Sequence, residues 1–330
     1  MAKGQRVGVT GSAGFIGKAL VRGLADQDYP LTLLQHAAQP DITLSPRDRV
    51  VVGDVTDPNS LAPFTKDCAA VVHLVSDFRS AANPPEKSWL INVEGTRNTL
   101  AAARAAGVRR FVYCSTIGVH GNVRSTPAAE DAPLAPGDTY QETKVAAEQV
   151  CRDAMNVGDM EVIIARPASV YGPGDLRMLK MFRMLSKRLF LQAGPARENF
   201  HAVYIDDLVA GFLSLLETEG IGGETFILGG PSYVPLRRYI ATAAQAVDAP
   251  PPWLRVPYAP LLAIAAATEV LCRPFGLEPP LHRRRVRFFR NNRAFDISKA
   301  KQLLGYAPEI ELAEGMRRTV AWYRQTGLLT

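Results

Sequence analysis

The sequence is short of the residues that mark metal centres and disulfide frameworks. It holds only four cysteines, Cys68, Cys114, Cys151 and Cys272, and five histidines. No two cysteines form a C-x-x-C pair, and their spacing suits neither a zinc site nor a disulfide scaffold. The expectation is therefore no metal and a reducing, cytoplasmic setting. The opening residues Met1-Ala2-Lys3-Gly4-Gln5-Arg6 have no apolar core of a leader and run straight into a strand. No apolar run approaches the roughly 20 residues that cross a bilayer. No nucleic-acid-binding motif is visible either, so nucleic acid is not an expected partner. Positive charge, by contrast, is in excess. The net charge is +6, and six arginines fall between Arg283 and Arg293. That cluster reads as a solvated basic face, as a site for cofactor or substrate phosphates, or as a membrane contact.

At 330 residues and 47% hydrophobic, the chain is long and apolar enough for one large domain or two intimately joined ones. Short apolar runs alternate with helical patterns. Arg6–Thr10, Leu31–Leu34, Arg49–Val52, Ala70–Val75, Arg110–Cys114 and Glu161–Ala165 read as strands. Helices are expected up to about Asp26, from Asn59 behind an Asp57 cap, from Pro85 to Ala106 ahead of Gly107, and over Thr139–Met155. This alternation predicts an α/β fold: a Rossmann-type doubly wound parallel sheet with helices on both faces. His73, inside an apolar strand, reads as a core histidine.

Beyond Pro167 the alternation weakens. Tyr171-Gly172-Pro173-Gly174-Asp175 is a turn cluster. A helix over Leu176–Leu189, a strand over Phe200–Ile205, a helix capped by Asp206-Asp207 and a strand over Thr225–Leu228 follow. The predicted division is a dinucleotide-binding core over 1–170, to which 201–230 returns. The segments 171–200 and 231–330 form a smaller, partly helical substrate lobe.

The first strand leads into Gly11-Ser12-Ala13-Gly14-Phe15-Ile16-Gly17 and then a helix. In that context Gly11 allows a tight turn, Gly14 a close approach to pyrophosphate, and Gly17 close helix–strand packing. The helix N-terminus adds free N–H groups and a positive dipole end. About 20 residues on, an NAD enzyme usually places an acidic residue on the adenosine ribose; Gln35 and His36 stand there instead. With no carboxylate to repel a 2′-phosphate and no arginine to attract one, the reading is NAD or NADP, leaning to NADP. Asp54, at the third strand's end, suits either an adenine contact or a turn. Val75-Ser76, Ser115-Thr116 and Pro167-Ala168-Ser169 also lie at strand ends, on the side where ligands bind such sheets.

Tyr140 and Lys144 lie four apart on a helix and share one face. A cation held near a phenol, whose pKa is ordinarily about 10, favours the phenolate and makes Tyr140 a candidate acid–base group. The same spacing also fits a half-buried tyrosine beside a solvated lysine.

Taken together, the motifs resemble those of the extended short-chain dehydrogenase/reductases, the NAD-dependent epimerase/dehydratase type. They are Thr10–Gly17 with its G-x-x-G-x-x-G spacing, Gly53–Asp57, Asn92–Thr96, Ser115-Thr116, Tyr140-x-x-x-Lys144, Arg166–Gly174 and Leu303–Pro308. They follow the family order over nearly the whole chain. The resemblance implies a homodimer built on paired helices and a small-molecule substrate. It also implies Tyr140 as acid/base, Lys144 lowering its pKa and holding the nicotinamide ribose, Thr116 on the reacting oxygen, and Ser115 assisting. Cofactor contacts are implied for Gly11, Ala13, Gly14, Phe15, Ile16, Gly17, Gln35, His36, Asp54, Val55, Leu74, Val75, Ser76, Tyr140, Lys144, Pro167, Ser169 and Val170.

Two branches of that family compete. Sugar-nucleotide 4-epimerases with tightly bound NAD carry an Arg-Asp-Phe-like stretch where this chain has Phe200-His201-Ala202, with Arg197 nearby. The other branch is similar to 3β-hydroxysteroid dehydrogenases and long-chain 3-oxoacyl reductases. Its signals here are Tyr171–Arg177, Arg293–Ala300 and the apolar stretch Tyr258–Cys272, whose single charge is Glu269. That stretch reads as a buried helix of the substrate lobe, or as an apolar lid touching a membrane over 258–293. The expected function is an NAD(P)-dependent alcohol/ketone oxidoreductase acting on a lipophilic substrate, with the epimerase as alternative.

Overall fold

Seven strands lie parallel in a computed structural model that describes residues 4–36, 44–78, 84–272 and 283–329. Across the sheet they run Thr225–Leu228, Glu161–Pro167, Arg110–Cys114, Ala70–His73, Val7–Thr10, Leu31–Gln35 and Arg49–Val52. The first strand in the chain, Val7–Thr10, explains the order. Val9 pairs with Leu33 on one side and with Val72 on the other, so successive strands are laid first to one side and then to the other. The connections part at this switch point and leave a crevice at the C-terminal strand ends. Val7–Thr10, Leu31–Gln35, Ala70–His73 and Arg110–Cys114 are buried along their whole length, as strands covered by helices on both faces must be.

The helix expected over Pro85–Ala106 is present, with an irregularity. Pro85–Trp89 and Gly95–Ala105 are α-helical, and a π turn, Leu90–Glu94, joins them. The turn carries Asn92, which is buried. Gly107 follows at φ 70°, a left-handed stop. Asp57 caps as expected by accepting from the Asn59 amide, but the element it caps is the short 3₁₀ turn Pro58–Ser60.

Past Pro167 the structure departs further from local expectation. Ser169–Tyr171, Asn199–Tyr204 and Tyr233–Pro235 make a separate three-stranded sheet. The helix expected over Leu176–Leu189 is confined to Leu179–Ser186. The Asp175 carboxylate accepts from the Arg177 amide, which holds those residues in a turn. Asp206 and Asp207 cap nothing. They lie in the first turn of Ile205–Glu217, whose N-cap is Tyr204. The Asp207 carboxylate instead accepts from the amides of Glu309 and Ile310, so it anchors the C-terminal segment. The helices Leu236–Ala246, Leu312–Gln325 and Leu179–Ser186 pack together, and one apolar core runs unbroken from Val7 to Leu329. Tyr258–Cys272 is helical but is not a buried helix: only Leu261 and Ala265 are buried along it.

His73 is a core residue, as its strand context implies. Nδ1 lies 2.8 Å from the Thr10 hydroxyl, and Nε2 lies 3.2 Å from the Thr96 hydroxyl. Thr96 donates its own proton to the Asn92 carbonyl, so the network assigns a neutral ring that donates from Nε2. Burial, then the charge of Lys144, holds its pKa at about 3, against 6.5 for a free histidine. A depressed histidine pKa means that the unfolded chain takes up a proton the folded chain refuses. Its stabilisation is complete above pH 6.5 and is lost as pH falls from there toward 3. The apparent melting temperature of His73→Gln should fall less steeply over that range than that of the parent. Equal slopes would mean that His73 is not the titrating group.

Candidate active site

The crevice is a cleft of about 640 Å³. At one end lies the glycine turn. Gly11 takes φ 70°, and a Cβ there would meet the Leu74–Val75 backbone at 3.0 Å. A Cβ on Gly17 would come within 2.1 Å of the Gly11 carbonyl, so only glycine lets Phe15–Asp26 sit so close to the turn. No side chain caps that helix, and Gly14, its N-cap, lines the cleft. Its first amides are thereby available to an anion. Ser76 also lines the cleft, and its hydroxyl is buried with no hydrogen-bond partner. An orphaned hydroxyl facing a glycine cradle fits a dinucleotide that satisfies both.

At mid-cleft, Thr139–Met155 enters behind Asp138, whose carboxylate caps it at the Gln141 amide. Tyr140 and Lys144 both line the cleft, one helical turn apart. The Phe78 ring meets the Tyr140 ring edge-on, at 4.9 Å between centroids. The Lys144 ammonium is buried, donates to the Cys114 carbonyl at 2.7 Å and lies 4.5 Å over the Tyr113 ring. Burial draws its pKa below the ordinary lysine value. Asn92, from the π turn, donates to the Thr143 hydroxyl at 2.9 Å and accepts from the Asp77 amide at 2.7 Å. It ties the loop beside the cleft to the helix that carries Tyr140.

Ser115 and Thr116 are adjacent in sequence and differ in partner. The Ser115 hydroxyl donates to Glu148 at 2.6 Å. The Thr116 oxygen accepts from the Gly118 amide at 3.0 Å, which leaves its O–H free to point at a ligand. The resemblance implies an assisting role for Ser115; its proton is already committed to Glu148.

Glu148 lies one helical turn beyond Lys144 and is fully buried. Arg166 grips it with two bonds, of 2.9 and 2.6 Å, and Arg152 adds a third at 3.0 Å. Arg166 also donates to the Glu130 carbonyl at 2.7 Å and reaches His120 Nε2 at 3.0 Å. Burial pushes the Glu148 carboxyl up, but Arg166, Ser115 and Arg152 together hold it below the usual carboxylate range. Glu148 went unremarked in the sequence, although it continues the face of Tyr140 and Lys144 with the same four-residue step.

Pro167, Ala168, Ser169 and Val170 line the cleft beyond Lys144. Arg177 stands at the rim, 5.3 Å from the Phe15 ring and 5.4 Å from the Phe78 ring, and is paired with buried Asp175. At the far end Met178, Met181, Phe190, Phe200, Leu236, Tyr239, Ile240 and Phe288 form an apolar wall that also includes Arg293.

Of the sequence-based cofactor candidates, Gly11, Gly14, Phe15, Ile16, Gly17, Leu74, Ser76, Pro167, Ser169 and Val170 line this cleft with Tyr140 and Lys144. Ala13, Gln35, His36, Asp54, Val55 and Val75 are not part of its lining. Gln35 is buried and donates to Ser12 at 3.1 Å, which turns it from solvent. Val55 is packed in the core, and its carbonyl accepts from Asn98. His36 is exposed, with its ring 3.8 Å from the Asp54 carboxylate. No metal-binding cluster of His, Cys, Asp or Glu occurs among the described residues.

The model of the NAD dependent epimerase/dehydratase family matches residues 7–229, and the chain belongs to that family. It is similar to the decarboxylating sterol-4-alpha-carboxylate 3-dehydrogenase of Saccharomyces cerevisiae, at 28% identity over 98% of this chain and 99% of that protein. It is also similar to the UDP-glucose 4-epimerase of Mycolicibacterium smegmatis, at 29% identity over 96% and 97%. Among solved structures it resembles the dTDP-glucose 4,6-dehydratase DesIV of Streptomyces venezuelae, solved with NAD bound. There the TM-score is 0.78 and the identity 26%, over 98% of each chain.

Because both partners are buried, Glu148→Leu should cost about 3–5 kcal/mol by leaving Arg166 uncompensated. Adding Arg166→Met should recover a large part of that loss in a denaturant titration. A double variant as unstable as the sum of the singles would show that the two side chains do not act as a pair.

Proposed function

We propose that this chain is an NAD(P)-dependent oxidoreductase that interconverts a secondary alcohol and a ketone on a lipophilic substrate, of sterol-like or 3-oxoacyl class. The observation that carries the reading is one cleft with three zones. A glycine cradle with an orphaned Ser76 hydroxyl lies at one end, Tyr140, Lys144 and Thr116 lie in the middle, and an apolar wall closes the other. The bound nicotinamide supplies the hydride acceptor or donor. Tyr140, as phenolate, takes the proton of the alcohol oxygen, and returns it in the reverse direction. Lys144 stabilises that phenolate and holds the ribose. Thr116 donates its free hydroxyl proton to the same oxygen, while Ser115 only positions Glu148. A phenol pKa lowered from about 10 to about 7 corresponds to roughly 4 kcal/mol of phenolate stabilisation.

In this reading residues 1–170, with 201–230, bind the dinucleotide, and 171–200 with 231–330 bind the substrate. His36 and Asp54 face one another where the adenosine ribose would lie, so the choice between NAD and NADP is made there. The molecule is read as a cytoplasmic homodimer paired through its long helices, where Trp89 and Leu90 stand exposed.

The second reading, a nucleotide-sugar 4-epimerase with tightly bound NAD, is favoured by one observation: Arg293 within the otherwise apolar far end. Absorbance of the reduced nicotinamide separates the two. A dehydrogenase exchanges cofactor and shows net change with a sterol or 3-oxoacyl substrate; an epimerase shows none and converts UDP-sugars.

Tyr140→Phe should abolish turnover with cofactor affinity nearly intact. Thr116→Val should lower kcat by roughly 10²-fold or more, as loss of a donor at the reacting oxygen does. Ser115→Ala should lower it by less than about tenfold, since its proton serves Glu148. Equal losses for the serine and threonine variants would overturn the division of roles. Separately, His36→Arg should raise kcat/KM for NADP relative to NAD by about tenfold, through a charge-assisted bond to the 2′-phosphate. An unchanged ratio would remove His36 from the cofactor site.

A further inference from the structure

The helix Tyr258–Cys272 carries apolar residues all round, yet among the described residues only Leu261 and Ala265 are buried along it. Leu261 and Ala265 face inward onto Ala193 and Val286. Further round the helix Ile264 and Leu271, seven residues apart and so on one stripe, are 53% and 68% exposed, and Val270 is 69% exposed. Ala193 belongs to a small ribbon in which Arg255–Val256 pairs with Gln192–Ala193. Trp253 at 79%, Leu254, Leu189 and Leu191 are exposed on the segments leading into it. Seven of the fifteen large apolar side chains that stand exposed among the described residues therefore gather in this one region of the substrate lobe. Single exposed apolar side chains need no explanation; a gathered set of this size does.

Exposed basic side chains lie around it. Arg290 lies 4.1 Å over the Tyr258 ring at one end of the helix. At the other end Arg283 binds Glu269, the one carboxylate the helix carries, through both its backbone amide and its guanidinium. Lys187, Arg188, Arg255, Arg287 and Arg290 are exposed nearby. An apolar stripe edged by arginines, with its only acid neutralised, is the chemistry of a surface that enters the headgroup layer of a bilayer.

We propose that this face docks on a membrane surface containing anionic lipid, with the Ile264–Leu271 stripe and Trp253 in the interfacial layer and the arginines on the headgroup phosphates. No helix among the described residues is long and apolar enough to cross the bilayer, so the contact is peripheral. A second copy of the chain is the poorer occupant. A two-fold contact centred here sets the arginines of one copy against those of the other, and burying like charges is costly. Anionic headgroups complement the apolar stripe and the arginines together. The face also adjoins the cleft. Phe289 packs under the helix, and its neighbour Phe288 lines the apolar end of the site. Docking would thus set the lipophilic end of the cleft beside the lipid. This last point rests on the oxidoreductase reading; the docking itself does not.

The experiment is sedimentation of the full chain with vesicles of phosphatidylcholine, alone or mixed with phosphatidylglycerol. Binding to the mixed vesicles is expected, weakened by salt, with a blue shift of tryptophan emission that Trp253→Phe removes. The double variant I264D/L271D should bind at least about tenfold more weakly, and Arg287→Glu should lose the preference for phosphatidylglycerol. Because none of these residues lines the cleft, dinucleotide affinity and melting temperature should stay at parent values, which separates lost docking from lost folding or lost activity. Failure of the parent to sediment with mixed vesicles would overturn the proposal. So would conversion of a parent dimer to monomer by I264D/L271D, since the face would then be a protein interface.

Discussion

The grip of Arg166 on Glu148 is the interaction on which the rest of the cleft depends. Two opposite charges are held where water does not reach, and such burial is rarely a net gain in stability. It is tolerated here because every oxygen of the carboxylate is used, by Ser115, twice by Arg166, and by Arg152. Such bonds are directional, and their cost when broken is high, so the pair admits few alternative arrangements. That rigidity is spent on position. Ser115 precedes Thr116, Arg166 precedes Pro167, and Glu148 lies one turn from Lys144. Three separate elements of the cleft floor are therefore fixed relative to one another by a single carboxylate.

The same cluster sets the sign of the field beneath the cleft. One buried carboxylate faces three cations, Lys144, Arg152 and Arg166. The neighbouring histidines add no charge, because burial, joined by Lys144 at His73 and by Arg166 at His120, keeps both neutral. The excess is positive beneath mid-cleft, where a phenolate would form. A low-dielectric floor makes that excess act at short range with little screening.

What was legible in the sequence was what local rules govern. Strand lengths, the glycine turn, the limits of Thr139–Met155 and the shared face of Tyr140 and Lys144 all follow from periodicity and backbone freedom. What was not legible depends on partners far away in the chain. The division of labour between Ser115 and Thr116 is decided by Glu148, 33 residues on. Asp206-Asp207 has the look of a helix cap, but Asp207 is claimed by amides about 100 residues later. The π turn that swings Asn92 inward has no composition signal, since Leu90–Glu94 reads as ordinary helix. Gln35 stands at the strand end where a ribose contact is usual; its burial against Ser12 is a tertiary outcome.

The two ends of the cleft place different demands on a ligand. The polar floor is set by chemistry: the Thr116 hydroxyl, the Tyr140 phenol and the buried Lys144 ammonium line it. The apolar end is specific about the remainder. Removing polar hydroxyls from water against Met178, Phe200 and Ile240 without partners costs roughly 1–3 kcal/mol each, so a sugar bearing several such groups is penalised several-fold over. A fused-ring or acyl body gains about 25 cal/mol per Å² of apolar surface buried there. Arg293 shifts that balance only for a ligand with a negative charge at the right distance. The residues of that apolar end come from two separated stretches of chain, one carrying Met178 and Phe200 and the other Leu236 and Phe288, and in the proposed reading they select among alcohols independently of a floor held rigid by Glu148 and Arg166.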